Sequence, residues 1–354
     1  MGKKEEMVQA LLQEIVMRKA EFSEKVVDCI YFGGGTPSVL EISEINTLVQ
    51  AVYENYTVSS HPEITLEANP DDLSIKKITS LHHSLINRLS IGVQSFFEED
   101  LKLMNRAHNA QEAVDSILLS RKHFKNSSLD LIYGIPGMSN ARWIENIEKA
   151  IALGVPHISA YTLTVEPKTA LENFIKKGII SPVQDEVAHE HHSILVEKME
   201  AAGYENYEFS NFGKPGYHSR NNTAYWEGKS YIGIGPGAHS YDGKRRAWNV
   251  SNNPKYIKAI LAGELPQDVE ALSKTDRYNE YVMTRLRTAK GISLQEVQEV
   301  FGKTYYDYLL TQAQPHIEEQ LLFQEGDYLV VSKKGKFLSD GIAADLFLVN
   351  LGTP

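Results

Sequence analysis

Apolar residues along this chain recur with two periods, and the segments that carry them alternate. Met7, Leu11 and Ile15, with Val8, Leu12 and Val16, repeat at helical spacing within 4–22, so the chain opens on an amphipathic helix. Short runs rich in Val, Ile, Leu, Tyr or Phe then predict strands at 26–32, 63–67, 88–94, 128–133 and 157–165. Helical patterns at 43–56, 110–124, 140–153 and 185–202 stand between or after them. Strand and helix in strict alternation specify βα units on a parallel sheet or barrel. A barrel of this kind starts most naturally with a strand, so a chain that opens on a helix reads as one whose first strand is missing.

The character changes near Asn249. Asn252-Asn253-Pro254 predicts a loop, and 249–270, with its acidic stretch from Gly263 to Glu270, reads as a linker between a core at 1–248 and a C-terminal domain at 271–354. Helical patterns at 276–288, 293–301 and 304–320 precede a hairpin at 321–323 and 328–332 around Glu325-Gly326-Asp327. Three helices and a hairpin predict a winged-helix-like α+β domain.

Composition narrows the partners. The formal net charge of −10 argues against a nucleic-acid or anionic-membrane surface, and no basic recognition helix is present in the winged-helix-like region. No apolar stretch approaches the length of a membrane span and the first residues carry no secretory pattern, which predicts a cytoplasmic protein without an integral membrane segment. Cys29 is the single cysteine, so neither an internal disulfide nor a cysteine cage for a metal can form within one chain. Cys29 itself reads as a small core residue of a strand. His189, His191 and His192 in AHEHH lack the HExxH spacing and read as the solvated face of a helix, so no metal site is assigned to them.

Ligands of βα barrels gather at the C-terminal ends of the strands, and this chain places polar groups there four times in succession. The first strand runs into Gly33-Gly34-Gly35-Thr36-Pro37-Ser38, a loop without side chains over three residues. The next ends in Glu67 within LEANP, the next in Gln94 within SIGVQSF, and the next carries Asp130 within DLIYGIPG. Between the last two, after the short helix beyond Gln94, stands Arg106 in LMNRAH. Carboxylates accept from ribose hydroxyls, an arginine grips a carboxylate, and bare carbonyls with Glu67 take up an ammonium. Together they suit an amino acid joined to a nucleoside.

GGGTPS, LEANP, SIGVQSF, LMNRAH and DLIYGIPG, in this order along the chain, resemble the radical S-adenosylmethionine family of oxygen-independent coproporphyrinogen III oxidase and of the heme chaperones, HemW. The resemblance implies a partial (β/α)6 TIM-like barrel that binds S-adenosylmethionine. It places Gly34, Gly35 and Thr36 at the amino acid, Glu67 and Arg106 at the methionyl end, and Gln94 and Asp130 at the ribose. YENYEFSNF (204–212), RNNTAYW (220–226) and GIGPGAHSY (233–241) resemble the chaperone branch. The implied function is therefore a heme chaperone-like protein that binds heme and passes it to an acceptor protein. The alternatives are a coproporphyrinogen oxidase of porphyrin biosynthesis and a cluster-free protein that binds heme or a partner.

The chain departs from the family at two points. The resemblance implies a 4Fe-4S cluster on CxxxCxxC, which this sequence lacks, so no radical chemistry is expected from the chain as given. The cysteine loop and the absent strand would form one contiguous block upstream of Met1, and the expectation is that the genomic sequence there encodes both. The heme motif HNxxYW of the chaperones has Asn221 at its histidine position, leaving His218 and His239 as the candidate iron ligands.

Overall fold

The computed structural model describes residues 2–22, 25–165, 167 and 170–349; Met1 and the last five residues of the expected C-terminal domain lie outside them. The chain runs α1 (Gly2–Met17), β1 (Val26–Phe32), α2 (Ile42–Asn55), β2 (Thr57–Ala68), α3 (Ile75–His82), β3 (Arg88–Gln94), α4 (Glu98–Leu103), α5 (Ala110–His123), β4 (Asn126–Tyr133), α6 (Asn140–Ala152) and β5 (His157–Thr162). It continues with α7 (Ala170–Lys176), α8 (Asp185–Ala201), β6 (Glu205–Glu208), β7 (Asn211–Gly213), α9 (Arg220–Trp226), β8 (His239–Tyr241), β9 (Arg245–Asn249), α10 (Asn253–Leu261) and β10 (Gln267–Ala271). Last come α11 (Lys274–Leu286), β11 (Ile292–Ser293), α12 (Leu294–Phe301), α13 (Lys303–Glu318), β12 (Leu322–Glu325), β13 (Tyr328–Val331) and α14 (Ser339–Asp345).

The chain divides into two compact units, one of residues 29–42 and 63–219 and the other of 1–28, 43–62 and 220–354. The strand order of the main sheet is β1-β2-β3-β4-β5-β7-β6. Strands β2 to β5 pair in parallel, as helical crossovers require, whereas β7 is antiparallel to β5 and β6 antiparallel to β7. This is an α/β open barrel of the kind expected, with an antiparallel pair in place of its last βα turn. Strand β3 is buried along its whole length, including its polar members Arg88, Ser90 and Gln94. Strand β1 lies at the sheet edge and Cys29 within it is half-buried.

The helices α6 and α8 cover one face. Trp143, fully buried, donates from Nε1 to the carbonyl of His191 at 2.8 Å. His191 and His192 are themselves buried, His192 stacked on Phe209 at 4.6 Å. This corrects the expectation of a solvated face: only His189 is exposed. The two imidazoles sit on the stripe of Ala188, Leu195, Val196 and Met199, four residues ahead of Leu195 and Val196.

In the second unit α1 packs on α10, and β8, β9 and β10 form a three-stranded antiparallel sheet. The stretch expected as a linker thus carries a helix and a strand. Asn252 caps α10, its side chain accepting from the N–H of Lys255, with Pro254 in the first turn. Beyond it α11, α12 and α13 pack with the sheet β11-β13-β12 around Tyr278, Val282, Val297, Leu309 and Leu329, the helices-and-hairpin arrangement expected there.

Candidate functional site

The pocket at the strand ends of the first unit has a volume of about 210 Å³. It gathers Gly35, Thr36, Glu67, Gln94, Arg106 and Asp130, six of the residues singled out from the sequence. Gly34 precedes it, with φ +74°, and Gly35 has φ +71°; both are left-handed, which is the first reason for glycine here. A Cβ on either would meet nothing within 4 Å, so the loop's backbone faces open space.

Two hydrogen bonds hold Glu67. The Tyr31 hydroxyl donates to its Oε1 at 2.6 Å and the Gly34 N–H to its Oε2 at 3.1 Å. Burial first, and then the Glu67 carboxylate, raise the Tyr31 hydroxyl far above its ordinary value, so it remains a donor. Tyr31 was not among the expected residues. Its place one turn of the strand before three glycines was the available signal.

Asp130 lies deeper, within reach of Ser90 Oγ at 3.5 Å and of Ser159. Burial and the nearby Glu67 charge push its carboxyl up to about 7. Gln94 occupies the left-handed region at φ +67°, where β3 loses register with β4. A glutamine held there costs on the order of 1–2 kcal/mol. Ser95, beside it, is structural: its hydroxyl donates to Asp100 Oδ2 at 2.7 Å and pins the start of α4.

Arg106 owes its direction to the end of α4. Asn105 takes φ +54°, which asparagine tolerates, and the Arg106 N–H donates back to the Leu101 carbonyl at 2.9 Å. Among the described residues no hydrogen bond or ion pair engages its guanidinium. Burial lowers its pKa, with Asp130 and Asp71 as the acids that act against this. It remains charged. A half-buried guanidinium that no hydrogen bond or ion pair among the described residues engages is a ready donor to a carboxylate.

The two histidines lie in different units. His218 places Nε2 at 2.8 Å from Glu205 Oε2 and stacks on Tyr207 at 4.3 Å. His239 is exposed on β8, opposite Trp248 on β9, with ring centroids 6.2 Å apart. No hydrogen bond or ion pair engages its ring among the described residues. Tyr241 shares its strand face, touches Tyr231 at 6.2 Å, and Tyr231 meets the half-exposed Tyr225 of α9 edge-on at 4.6 Å. This aromatic strip was invisible in the sequence because its members come from a helix, a loop and two strands.

The donor set of the pocket fits S-adenosylmethionine. That molecule carries a sulfonium, an ammonium and a carboxylate, and the pocket offers two carboxylates and one free guanidinium. The residues do not fit a 4Fe-4S cluster, since three thiolates are required and Cys29 is the single cysteine of the sequence. No helix of the described residues is long and apolar enough to cross a membrane.

The radical SAM superfamily profile matches residues 2–150, and the HemN C-terminal domain profile matches 272–338. The heme chaperone HemW of Bacillus subtilis (strain 168) is 33% identical over 341 residues, covering 96% of this chain and 90% of its own length. The Escherichia coli (strain K12) heme chaperone HemW is 33% identical over 349 residues, with 96% and 89% covered. The solved structure of coproporphyrinogen III oxidase (HemN) from Escherichia coli, described as a radical SAM enzyme, superposes with a TM-score of 0.81 over 97% of this chain and 83% of that one. At 23% identity that likeness is one of fold.

Proposed function

Because the chain belongs to the radical SAM superfamily, in the branch of the heme chaperones HemW, we propose that it holds S-adenosylmethionine in the Glu67–Arg106–Asp130 pocket and carries heme on the aromatic strip beside His239. The unpartnered Arg106 guanidinium, facing a pocket with two carboxylates, carries the first half of this reading. Arg106 takes the methionyl carboxylate. Glu67, held by Tyr31 and the Gly34 N–H, draws the ammonium against the bare loop, and Asp130 accepts from the ribose hydroxyls. When bound to a cluster, S-adenosylmethionine supplies radical chemistry; no step of that kind is assigned to these residues.

For heme, the chaperone relatives supply the ligand class and His239 the iron ligand. Its ring is exposed and unengaged, whereas the outer nitrogen of His218 lies 2.8 Å from Glu205 Oε2. Tyrosines and Trp248 provide the apolar wall that a flat macrocycle stacks against. Delivery to an acceptor protein is the reading favoured over the oxidase, because the heme chaperone relatives are 33% identical over 96% of the chain and the solved oxidase 23%.

Two titrations test this. Calorimetry with S-adenosylmethionine is expected to give measurable binding that Arg106→Ala weakens by roughly 10- to 100-fold, the effect of losing one charge-assisted pair. An unchanged affinity would move the methionyl end elsewhere. Addition of hemin is expected to produce a Soret shift that His239→Ala alters and His218→Ala leaves in place; the reverse pattern would transfer the ligand role to His218.

A further inference from the structure

Helix α1 buries an ion pair that the proposed chemistry does not use. Glu14 and Arg18, one turn apart, are 0% and 1% exposed. Glu14 Oε1 accepts from Asn249 Nδ2 at 2.7 Å and from Arg18 Nη1 at 3.4 Å. Its Oε2 accepts from the Gly235 N–H at 2.7 Å and the Tyr256 hydroxyl at 2.6 Å. Arg18 in turn donates to the Gly233 carbonyl at 2.8 Å and to Ser240 Oγ at 3.0 Å, and Ser240 Oγ accepts from the Gly233 N–H at 3.0 Å.

Arg18 also grips Glu21 through Nε at 2.9 Å and Nη2 at 2.7 Å; apart from that bond, the Arg18–Glu14 pair itself and the Tyr256 bond, these contacts end on the loop 233–240 or on the strand beside it. The loop closes tightly on itself: a Cβ on Gly233 would lie 2.1 Å from the His239 carbonyl oxygen. His239 therefore takes its backbone position from Gly233, and Gly233 takes its own from Arg18 and Ser240. A charge pair withdrawn from water is expensive, and replacing one with apolar residues is often neutral or stabilising. Its use here must lie in what it fixes.

We propose that Glu14 and Arg18 are positioning residues for iron ligation, acting through Gly233 and Ser240 to set the His239 imidazole against the aromatic strip. The inference rests on the heme reading given above. A residue that fixes the backbone carrying a ligand acts one step further out than a partner of its ring, and its loss is expected to weaken metal affinity by about tenfold, the low end of the effect of such outer partners.

The test is a hemin titration of the full chain, read at the Soret band, with thermal melts to show that each variant is folded. Glu14→Gln is expected to bind hemin about tenfold more weakly, with a spectrum moved toward that of His239→Ala. In the His239→Ala background the same substitution is expected to cost nothing further. Ser240→Ala, which keeps the buried charges paired, is expected to give the same spectral change and carries the test if Glu14→Gln does not fold. Equal losses from Glu14→Gln with and without His239 would overturn the proposal, because the pair would then act on the fold alone. So would a wild-type spectrum and affinity in both single variants. A wild-type protein without any Soret shift, or a His239→Ala variant identical to it, would instead overturn the heme reading and this inference with it.

Discussion

Asp130→Asn is expected to make the protein more stable above neutral pH while weakening its hold on S-adenosylmethionine by roughly 10- to 100-fold. Both effects come from one carboxyl. Its folded-state pKa of about 7 lies above the ordinary value of 3.8. Between those two pH values the folded protein keeps a proton that the unfolded chain has lost, so stability falls as pH rises through this window. Above it the cost of the buried charge is fully present. Asparagine carries no charge to desolvate, and the expected gain at pH 8 is on the order of 2 kcal/mol, or about 3 °C in Tm for a chain of 354 residues. Ligand binding runs the other way: ribose hydroxyls donate, the ionised carboxylate accepts best, and wild-type affinity is expected to climb as pH rises through about 7 while the variant's stays flat. Calorimetry from pH 6 to 8, paired with thermal melts, checks both. A variant that binds as well as wild type would place the ribose away from Asp130.

The pocket was legible because a parallel sheet brings its strand ends together, so polar residues spaced 20–40 positions apart become neighbours once the strands are counted. Glu67, Gln94 and Asp130 stood out for that reason. What was not legible depends on backbone direction or on partners from other elements. Tyr31 sat in an apolar strand, where an aromatic residue needs no explanation, and only its distance from Glu67 gives it a role. Asn105 set the aim of Arg106 through a left-handed turn that no hydrophobic pattern records. At 249–270 the Asn-Asn-Pro sequence predicts a loop, yet an asparagine cap with a proline in the first turn is also a helix start, and α10 begins there. His191 and His192 read as polar in the sequence but occupy apolar positions of their helix. An uncharged imidazole packs as an aromatic ring, and burial lowers the His191 pKa accordingly.

The glycine loop gives the remaining large effect, because its three glycines are required for two different reasons. Gly34 and Gly35 need their left-handed φ, and alanine at either is expected to cost about 1–2 kcal/mol of local strain with no clash, since no atom lies within 4 Å. Gly33 has no such φ, but a Cβ there would stand 2.5 Å from Tyr31 Cε1 and 2.8 Å from Glu67 Oε1. Contacts that short cannot persist. The Tyr31 ring and the Glu67 carboxylate must shift, and the expected result is loss of their 2.6 Å bond and of the hold of the Gly34 N–H on Glu67. Gly33→Ala is therefore expected to remove the anchored carboxylate as well as the bare backbone, weakening S-adenosylmethionine by about 100-fold or more where Gly35→Ala costs nearer tenfold. The fold itself is expected to survive, because the loop lies beyond the end of β1 and carries none of the buried core. Melts and calorimetry on the two variants side by side decide the point: a Gly33→Ala protein that binds as tightly as Gly35→Ala would mean that Glu67 is free to reorient and that the loop's bareness alone matters to the ligand.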